Sequence, residues 1–325
     1  MQNTVNVISP ARLLPHQTNR LFLTDGGIET SLIFDDGIDL PHFAAFDLLQ
    51  RVDGRAALER YYARYLAIAA DGRFGFVLES PTWRSSPDWA ARLGYSEAAL
   101  AAANADAIEL MQGLRAVHER PKTPIVISGC VGPRGDGYVA GAQMAVDEAQ
   151  AYHAPQIRAM AGAGCDVISA ITMTNVPEAI GIVRAAQRAG VPCVIAFTVE
   201  TDGRLPSGAT LEAAIAEVDA ATGRGPAYYM INCAHPTHFE RLLDGRAAWT
   251  RRIGGLRANA SCKSHVELNE SPELDRGNPI ALAGEYGAIL ERLPHLRVFG
   301  GCCGTDHEHI GAIAAMLQAR MSTRI

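Results

Sequence analysis

Two adjacent cysteines, Cys302 and Cys303, stand in a glycine-rich turn, Gly300-Gly301-Cys302-Cys303-Gly304-Thr305-Asp306-His307, directly after an apolar run. A third, Cys233, ends another apolar run, Tyr228-Tyr229-Met230-Ile231-Asn232-Cys233. Three thiolates at strand ends can hold one zinc ion tetrahedrally, at Zn–S distances of about 2.3 Å, and leave the fourth position open for a reacting group. A vicinal redox pair is the other chemistry open to Cys302 and Cys303, but the flanking glycines and the distant Asn232-Cys233 favour a metal. The remaining cysteines carry less: Cys165 and Cys193 lie in apolar runs and read as core, while Cys130 and Cys262 read as core or loop thiols. His235, His307 and His309 flank the metal turns and read as helix-start or surface residues. Asp306 and Glu308 read as caps of the last helix.

The elements that must position these thiols are legible as repeated units. Apolar runs at 21–25, 74–79, 124–129, 166–171, 193–199, 227–232, 253–258 and 296–300 read as strands. Near-continuous apolar runs suit a parallel sheet covered on both faces. Between them, alanine-rich amphipathic segments at 56–70, 97–118, 147–163, 177–189, 211–220, 237–243, 280–293 and 307–321 read as helices. Ser96, Asn175 and Thr210 are the predicted N-caps, and Gly164 and Gly190 the stops before strands four and five. Eight strand–helix units predict a single (β/α)8 barrel spanning 1–325; a doubly wound sheet is the alternative, weakened because no Gly-x-Gly-x-x-Gly follows the first strand. In such a barrel the chemistry gathers at the C-terminal strand ends. Cys233 ends strand six and Cys302 and Cys303 end strand eight, so all three are expected at one mouth. The longest irregular stretch, 261–278, is expected to cover one end of the barrel.

Composition narrows the class further. The chain has 325 residues, 48% hydrophobic and 20% charged, with a net charge of −6, which leaves no basic footprint for nucleic acid. Lysine occurs only at Lys122 and Lys263. The opening residues 1–7 lack the basic start and apolar core of a secretory signal, and no apolar stretch approaches the roughly 20 residues of a spanning helix. With an odd number of cysteines, seven, the expected compartment is the reducing cytoplasm. Oligomeric state is not legible. A barrel metallohydrolase using metal-bound water is disfavoured, because such sites recruit histidine and carboxylate and no His-Glu-x-x-His occurs.

The Asn232-Cys233 strand end, the Gly-Gly-Cys-Cys-Gly-Thr turn, the Asp25-Gly26-Gly27 loop and Gly129-Cys130-Val131-Gly132-Pro133 together resemble the zinc-dependent homocysteine S-methyltransferase family, from about residue 20 to residue 320. Tyr152 to Ile157 and Gly203 to Gly208 also resemble family segments. The resemblance implies a barrel whose zinc is held by Cys233, Cys302 and Cys303, with no catalytic residue beyond that site. It implies methyl transfer from a cationic or corrinoid donor to a zinc-bound thiol, homocysteine giving methionine. Asp25, Gly26, Gly27 and Asn232 are the substrate-binding residues it suggests. One departure stands out: the family's glutamate after strand four, which holds the homocysteine amino group, is replaced here by Ile171. Glu79 is the nearest acid by topology to supply that contact; otherwise the accepted thiol differs, or the protein binds zinc and thiols without turnover. The family's first loop often has glycine where Glu29 stands. In the loop after strand two, Trp83 offers an aromatic face for a cationic donor, and Arg84 a partner for a carboxylate.

Overall fold

The structure is a computed structural model that describes residues 12–271 and 273–322; the opening segment 1–7 lies outside the described residues. Eight parallel strands close into a barrel in sequence order: β1 (Phe22–Leu23), β2 (Gly75–Glu79), β3 (Ile125–Val131), β4 (Val167–Met173), β5 (Cys193–Phe197), β6 (Pro226–Asn232), β7 (Ile253–Ala258) and β8 (Val298–Gly301). The ring closes where Phe22 pairs with both Gly75 of β2 and Val298 of β8. Strands are buried along nearly their whole length because side chains on both faces find partners, as the continuous apolar runs require.

The helices follow as α1 (Val52–Gly72), α2 (Glu97–His118), α3 (Val146–Gly162), α4 (Val176–Ala189), α5 (Leu211–Thr222), α6 (Pro236–Phe239), α7 (Pro279–Arg292) and α8 (His307–Ser322). The predicted caps form: Ser96 accepts from Ala99 N–H at 3.2 Å, Asn175 from Glu178 N–H at 3.0 Å and Thr210 from Ala213 N–H at 3.2 Å. Each such cap stabilises its helix by roughly 1 kcal/mol. Gly190 ends α4 with φ of 70°, a left-handed conformation that costs other residues energy.

Two expectations need correction. The helix predicted over 237–243 is a single α-turn followed by a 3-10 turn at Glu240–Leu242. Asp244 and Gly245 stop it there, and Thr250 Oγ1 donates to the Asp244 and Ala247 carbonyls to hold the next turn. The irregular stretch 261–278 contains a short helix, His265–Glu270, closed by a Ser264–Glu267 capping box.

The core has two layers. Phe22, Val77, Val126, Val167, Val194, Met230 and Val298 fill the barrel interior, with Ile171 and Cys130 at its upper end. Outside, Phe76, Phe197 and Phe299 are fully buried between strands and helices, each burial worth roughly 1.5–3 kcal/mol. Cys193 belongs to this outer layer and Cys165 packs against it, as expected of structural thiols. Cys262 is exposed.

Candidate metal centre and cavity

Cys233 follows β6 in a left-handed conformation, φ 53°, unusual for a residue with a side chain. Its neighbours impose it. Cys233 N–H donates to the Arg257 carbonyl at 3.0 Å, and its own carbonyl accepts from Thr198 Oγ1, Asn259 Nδ2 and His265 Nε2, the last at 2.8 Å. Such over-determined strain is typical of working sites. Just after β8, Cys302 N–H donates to the Ala258 carbonyl at 2.9 Å, and Thr305 Oγ1 donates back to the Cys302 carbonyl at 2.7 Å. The Asp25-Gly26-Gly27 loop presses on this turn: a Cβ on Gly26 would lie 2.5 Å from the Thr305 carbonyl oxygen, and one on Gly27 2.6 Å from that of Cys302. Only glycine permits that approach.

The three sulfurs lie within 4.8 Å of one another, with Cys233 and Cys303 Sγ 3.6 Å apart. A tetrahedral zinc with Zn–S bonds of about 2.3 Å needs S···S separations of about 3.8 Å, so the donor set fits that ion closely. The three cysteines are unbridged thiols. Hydrogen bonds from Cys233 and Cys302 hold the Cys303 thiol well below the usual thiol range, and the same sharing pushes Cys233 up. Three anions this close cannot coexist without a cation between them.

Below the sulfurs lies a buried ion cluster that sequence reasoning missed. Arg257, at the end of β7, pairs with Asp25 Oδ1 at 2.7 Å and with Glu79, and its Nε donates to the Gly301 carbonyl at 3.0 Å. Burial pushes the Asp25 carboxyl up despite Arg257 and Tyr61, whose hydroxyl donates to Asp25 Oδ2 at 3.0 Å. Burial disfavours the Arg257 cation, but the charge of Asp25 together with those of Cys302, Tyr61 and Tyr286 outweighs it and holds the guanidinium above its usual value. The only sequence signal was an arginine inside an otherwise apolar strand. Tyr138, in the loop after β3, was missed as well. Its hydroxyl lies 3.5 Å from Cys233 Sγ, and its ring stacks on His265 with centroids 4.1 Å apart.

A cavity of about 210 Å³ opens at this mouth, lined by the three cysteines together with Asp25, Gly26, Gly27, Glu79, Trp83 and Ile171. Asn232 lies just beneath: its Oδ1 accepts from Thr172 N–H at 2.9 Å and its Nδ2 donates to Thr172 Oγ1 at 2.8 Å and to Cys302 Sγ at 3.8 Å. Glu79 is present but engaged, its carboxylate taken by Arg257 and by Ser128 Oγ at 3.2 Å. Trp83 donates its Nε1–H to the Ile171 carbonyl at 3.1 Å, leaving part of its ring on the cavity. Trp89 stays outside the cavity lining and donates to the Arg134 carbonyl. The histidines behave as expected. His235 caps α6, His307 is exposed at the start of α8, and His309 is buried on Asp306 at 2.8 Å. Asp306 caps α8, accepting from Glu308 N–H at 2.9 Å.

Fold and site together define a (β/α)8 barrel with a three-thiol centre at its catalytic mouth. A homocysteine S-methyltransferase family model matches residues 22–317, and the chain belongs to that family of methyltransferases. Among curated proteins, homocysteine S-methyltransferase YbgG of Bacillus subtilis is 28% identical over 217 residues; the match covers 63% of this chain and 64% of that relative. Among solved structures, the oxidized form of the homocysteine methyltransferase MmuM from Escherichia coli aligns with a TM-score of 0.75 at 21% identity, covering 96% of this chain and 99% of that one. Its metallated form aligns at 0.71 and 20% identity, covering 94% and 99%. These likenesses bear on the fold, which is the barrel the sequence predicts.

Proposed function

We propose that this chain is a single-domain, zinc-dependent S-methyltransferase that moves a methyl group from a cationic donor to a thiol, with homocysteine the leading acceptor and methionine its product. The observation that carries the reading is the convergence of Cys233, Cys302 and Cys303 on one point at the cavity mouth. Zinc held by the three thiolates would supply the Lewis acidity that deprotonates an incoming thiol near neutrality, where a free thiol of pKa about 8.5 stays mostly protonated.

The chain's own groups do the rest. Asn232 anchors the Cys302 side and ties β6 to β4 through Thr172, fixing the site's floor. Asp25, Gly26 and Gly27 close one wall against the Cys302–Thr305 turn. Tyr138 sets its hydroxyl 3.5 Å from Cys233 Sγ at the edge of the site. The cavity side of Trp83 offers a π face to a sulfonium or quaternary ammonium methyl donor, an attraction of roughly 0.5–2 kcal/mol. Small molecules are the expected partners, and the cytoplasm the expected location. Among the described residues no helix is long and apolar enough to cross a membrane.

Ile171 favours a second reading, in which the acceptor is a thiol other than homocysteine or the protein binds without turnover. Its side chain belongs to the apolar interior cluster and cannot pair with an ammonium. The deciding experiment incubates zinc-loaded protein with a panel of thiols and of sulfonium and betaine donors and detects methylated product by mass spectrometry. Product formed with homocysteine and lost on chelation supports the proposal. Equal turnover after thorough chelation overturns it.

A further inference from the structure

The charged groups around the cavity divide into two sets. Asp25, Glu79 and Arg257 satisfy one another beneath the sulfurs. Glu29 and Arg84 do not: both line the cavity, and among the described residues neither has an ion-pair partner within 4.0 Å. Arg84 is only 7% exposed, yet its Nε has no hydrogen-bond partner and its Nη1 is held only by the Gly135 carbonyl at 2.8 Å. Its guanidinium is fixed in place by stacking, 4.1 Å from the Trp83 ring and 3.8 Å from Trp89. A buried, rigidly oriented guanidinium without an ion-pair partner is costly to leave so unless a ligand completes it. Asp136, the other acid at this rim, is exposed and spends Oδ1 on the N–H groups of Tyr138 and Val139.

Resting on the methyl-transfer reading, we infer that Glu29 and Arg84 grip the charged head of a zwitterionic amino-acid thiol, Glu29 taking the ammonium and Arg84 the carboxylate. With Glu29 ionised, as a bound ammonium favours, the pair carries no net charge and matches a zwitterion. They stand too far apart to neutralise each other directly. Each still feels the other across the gap. Burial pushes the Glu29 carboxyl up to about 7, with Arg84 opposing. Burial likewise lowers the Arg84 guanidinium to about 10, with Asp136 and then Glu29 opposing. An amino-acid head group presents its two charges side by side, the pairing that this acid and this base on one cavity wall call for. The role left vacant by Ile171 thus passes to a glutamate on the first loop, and Glu79, bound to Arg257, is left out of it. Arg84 is also better suited than lysine, since a planar guanidinium engages a carboxylate through two parallel hydrogen bonds.

The test pairs ligand truncation with substitution, reading dissociation constants by calorimetry on the zinc-loaded full chain. The probes are homocysteine, 4-mercaptobutyrate (no ammonium) and 3-mercaptopropylamine (no carboxylate), with L-methionine as a probe without a thiol. On the unsubstituted protein each truncation should weaken binding about tenfold or more. In Glu29→Gln, homocysteine should weaken by a similar factor while 4-mercaptobutyrate is unchanged; in Arg84→Gln the insensitive probe should be 3-mercaptopropylamine. Because Arg84→Gln removes stacking, its melting temperature is read alongside, and the truncation series on the unsubstituted protein stands even if that variant fails to fold. Equal affinity for all three thiols, or Glu29→Gln weakening the ammonium-free thiol as much as the two ammonium-bearing ones, overturns the inference. Methyl transfer to a simple thiol combined with indifference to the head group would do so while leaving the proposed reaction intact. Head-group discrimination without turnover of any donor would sustain the inference and remove the reaction.

Discussion

Arg257 and Glu79 meet as a buried ion pair across the mouth of the barrel, joining β7 to β2, which are not neighbours in the ring. Asp25 after β1 completes the cluster at 2.7 Å. Its role is to tie three strand ends together directly beneath the sulfurs. The paired arrangement contributes little net stability over an apolar one, but its halves cannot be separated cheaply.

Arg257→Met should therefore leave two buried carboxylates facing each other. The expected cost is about 3–5 kcal/mol of unfolding free energy, read from urea denaturation midpoints at neutral pH. Because one of the stranded acids can take up a proton, the deficit should shrink as pH is lowered. A loss below about 1 kcal/mol at neutral pH would mean the cluster is hydrated rather than buried.

The metal reading makes a separate prediction. Zinc added to metal-free protein should raise the melting temperature, since a ligand at about 100 times its dissociation constant stabilises by about 2.7 kcal/mol. Cys303→Ala should abolish that rise, and bound zinc measured by mass spectrometry should drop from about one equivalent to a small fraction of it. Cys193→Ala, in the outer core, should keep full zinc content while losing stability through a cavity. Retention of stoichiometric zinc by Cys303→Ala would refute the three-thiol centre.

How much of this was readable beforehand depends on the range of the interaction. Strands and helices came from local patterns: continuous apolar runs, Ser96, Asn175 and Thr210 at helix starts, Gly190 at a helix stop. The cysteines were readable because their positions at strand ends, once the barrel is assumed, place them at one mouth. Pairings that cross the mouth were not. Nothing local distinguishes Glu79, which Arg257 engages from a distant strand, from Glu29, which among the described residues no cation engages within 4.0 Å. Tyr138 is similar: Asp136-Gly137 before it marks a loop, and only the fold lays that loop over Cys233. The segment 237–243 is helical where its spacing predicts, but it splits into an α-turn and a 3-10 turn that ends at Leu242, a change of helix type that the spacing does not encode.

Tyr138 can be separated into its two contacts. Tyr138→Phe keeps the stack on His265 and removes the hydroxyl near Cys233, so stability should change by less than about 1 kcal/mol and zinc content should hold. Tyr138→Ala removes the stack, worth about 0.5–1.5 kcal/mol beyond its buried area, and should make the loop after β3 the first site of limited proteolysis. Identical proteolysis patterns for the alanine variant and the unsubstituted protein would show that the loop is held by other contacts.

The acid side of the stability profile should depend on Glu178, buried at the start of α4. It pairs with His153 Nε2 at 2.9 Å and accepts from Arg134 N–H at 2.7 Å. Burial alone would raise its carboxyl, but the hydrogen bond and charge of His153 and the donated N–H groups outweigh burial and hold it below the usual value of 4.5. A carboxyl depressed in the folded state binds fewer protons there than when unfolded, so its contribution is fully present above pH about 4.5 and disappears as pH falls through the folded value. Glu178→Gln should accordingly destabilise the protein at pH 7, by about 3–5 kcal/mol for a buried pair broken on one side. The gap between the two unfolding curves should close progressively from pH 4.5 downward. A gap of constant size from pH 7 to pH 3 would show that Glu178 is held by shape rather than by charge.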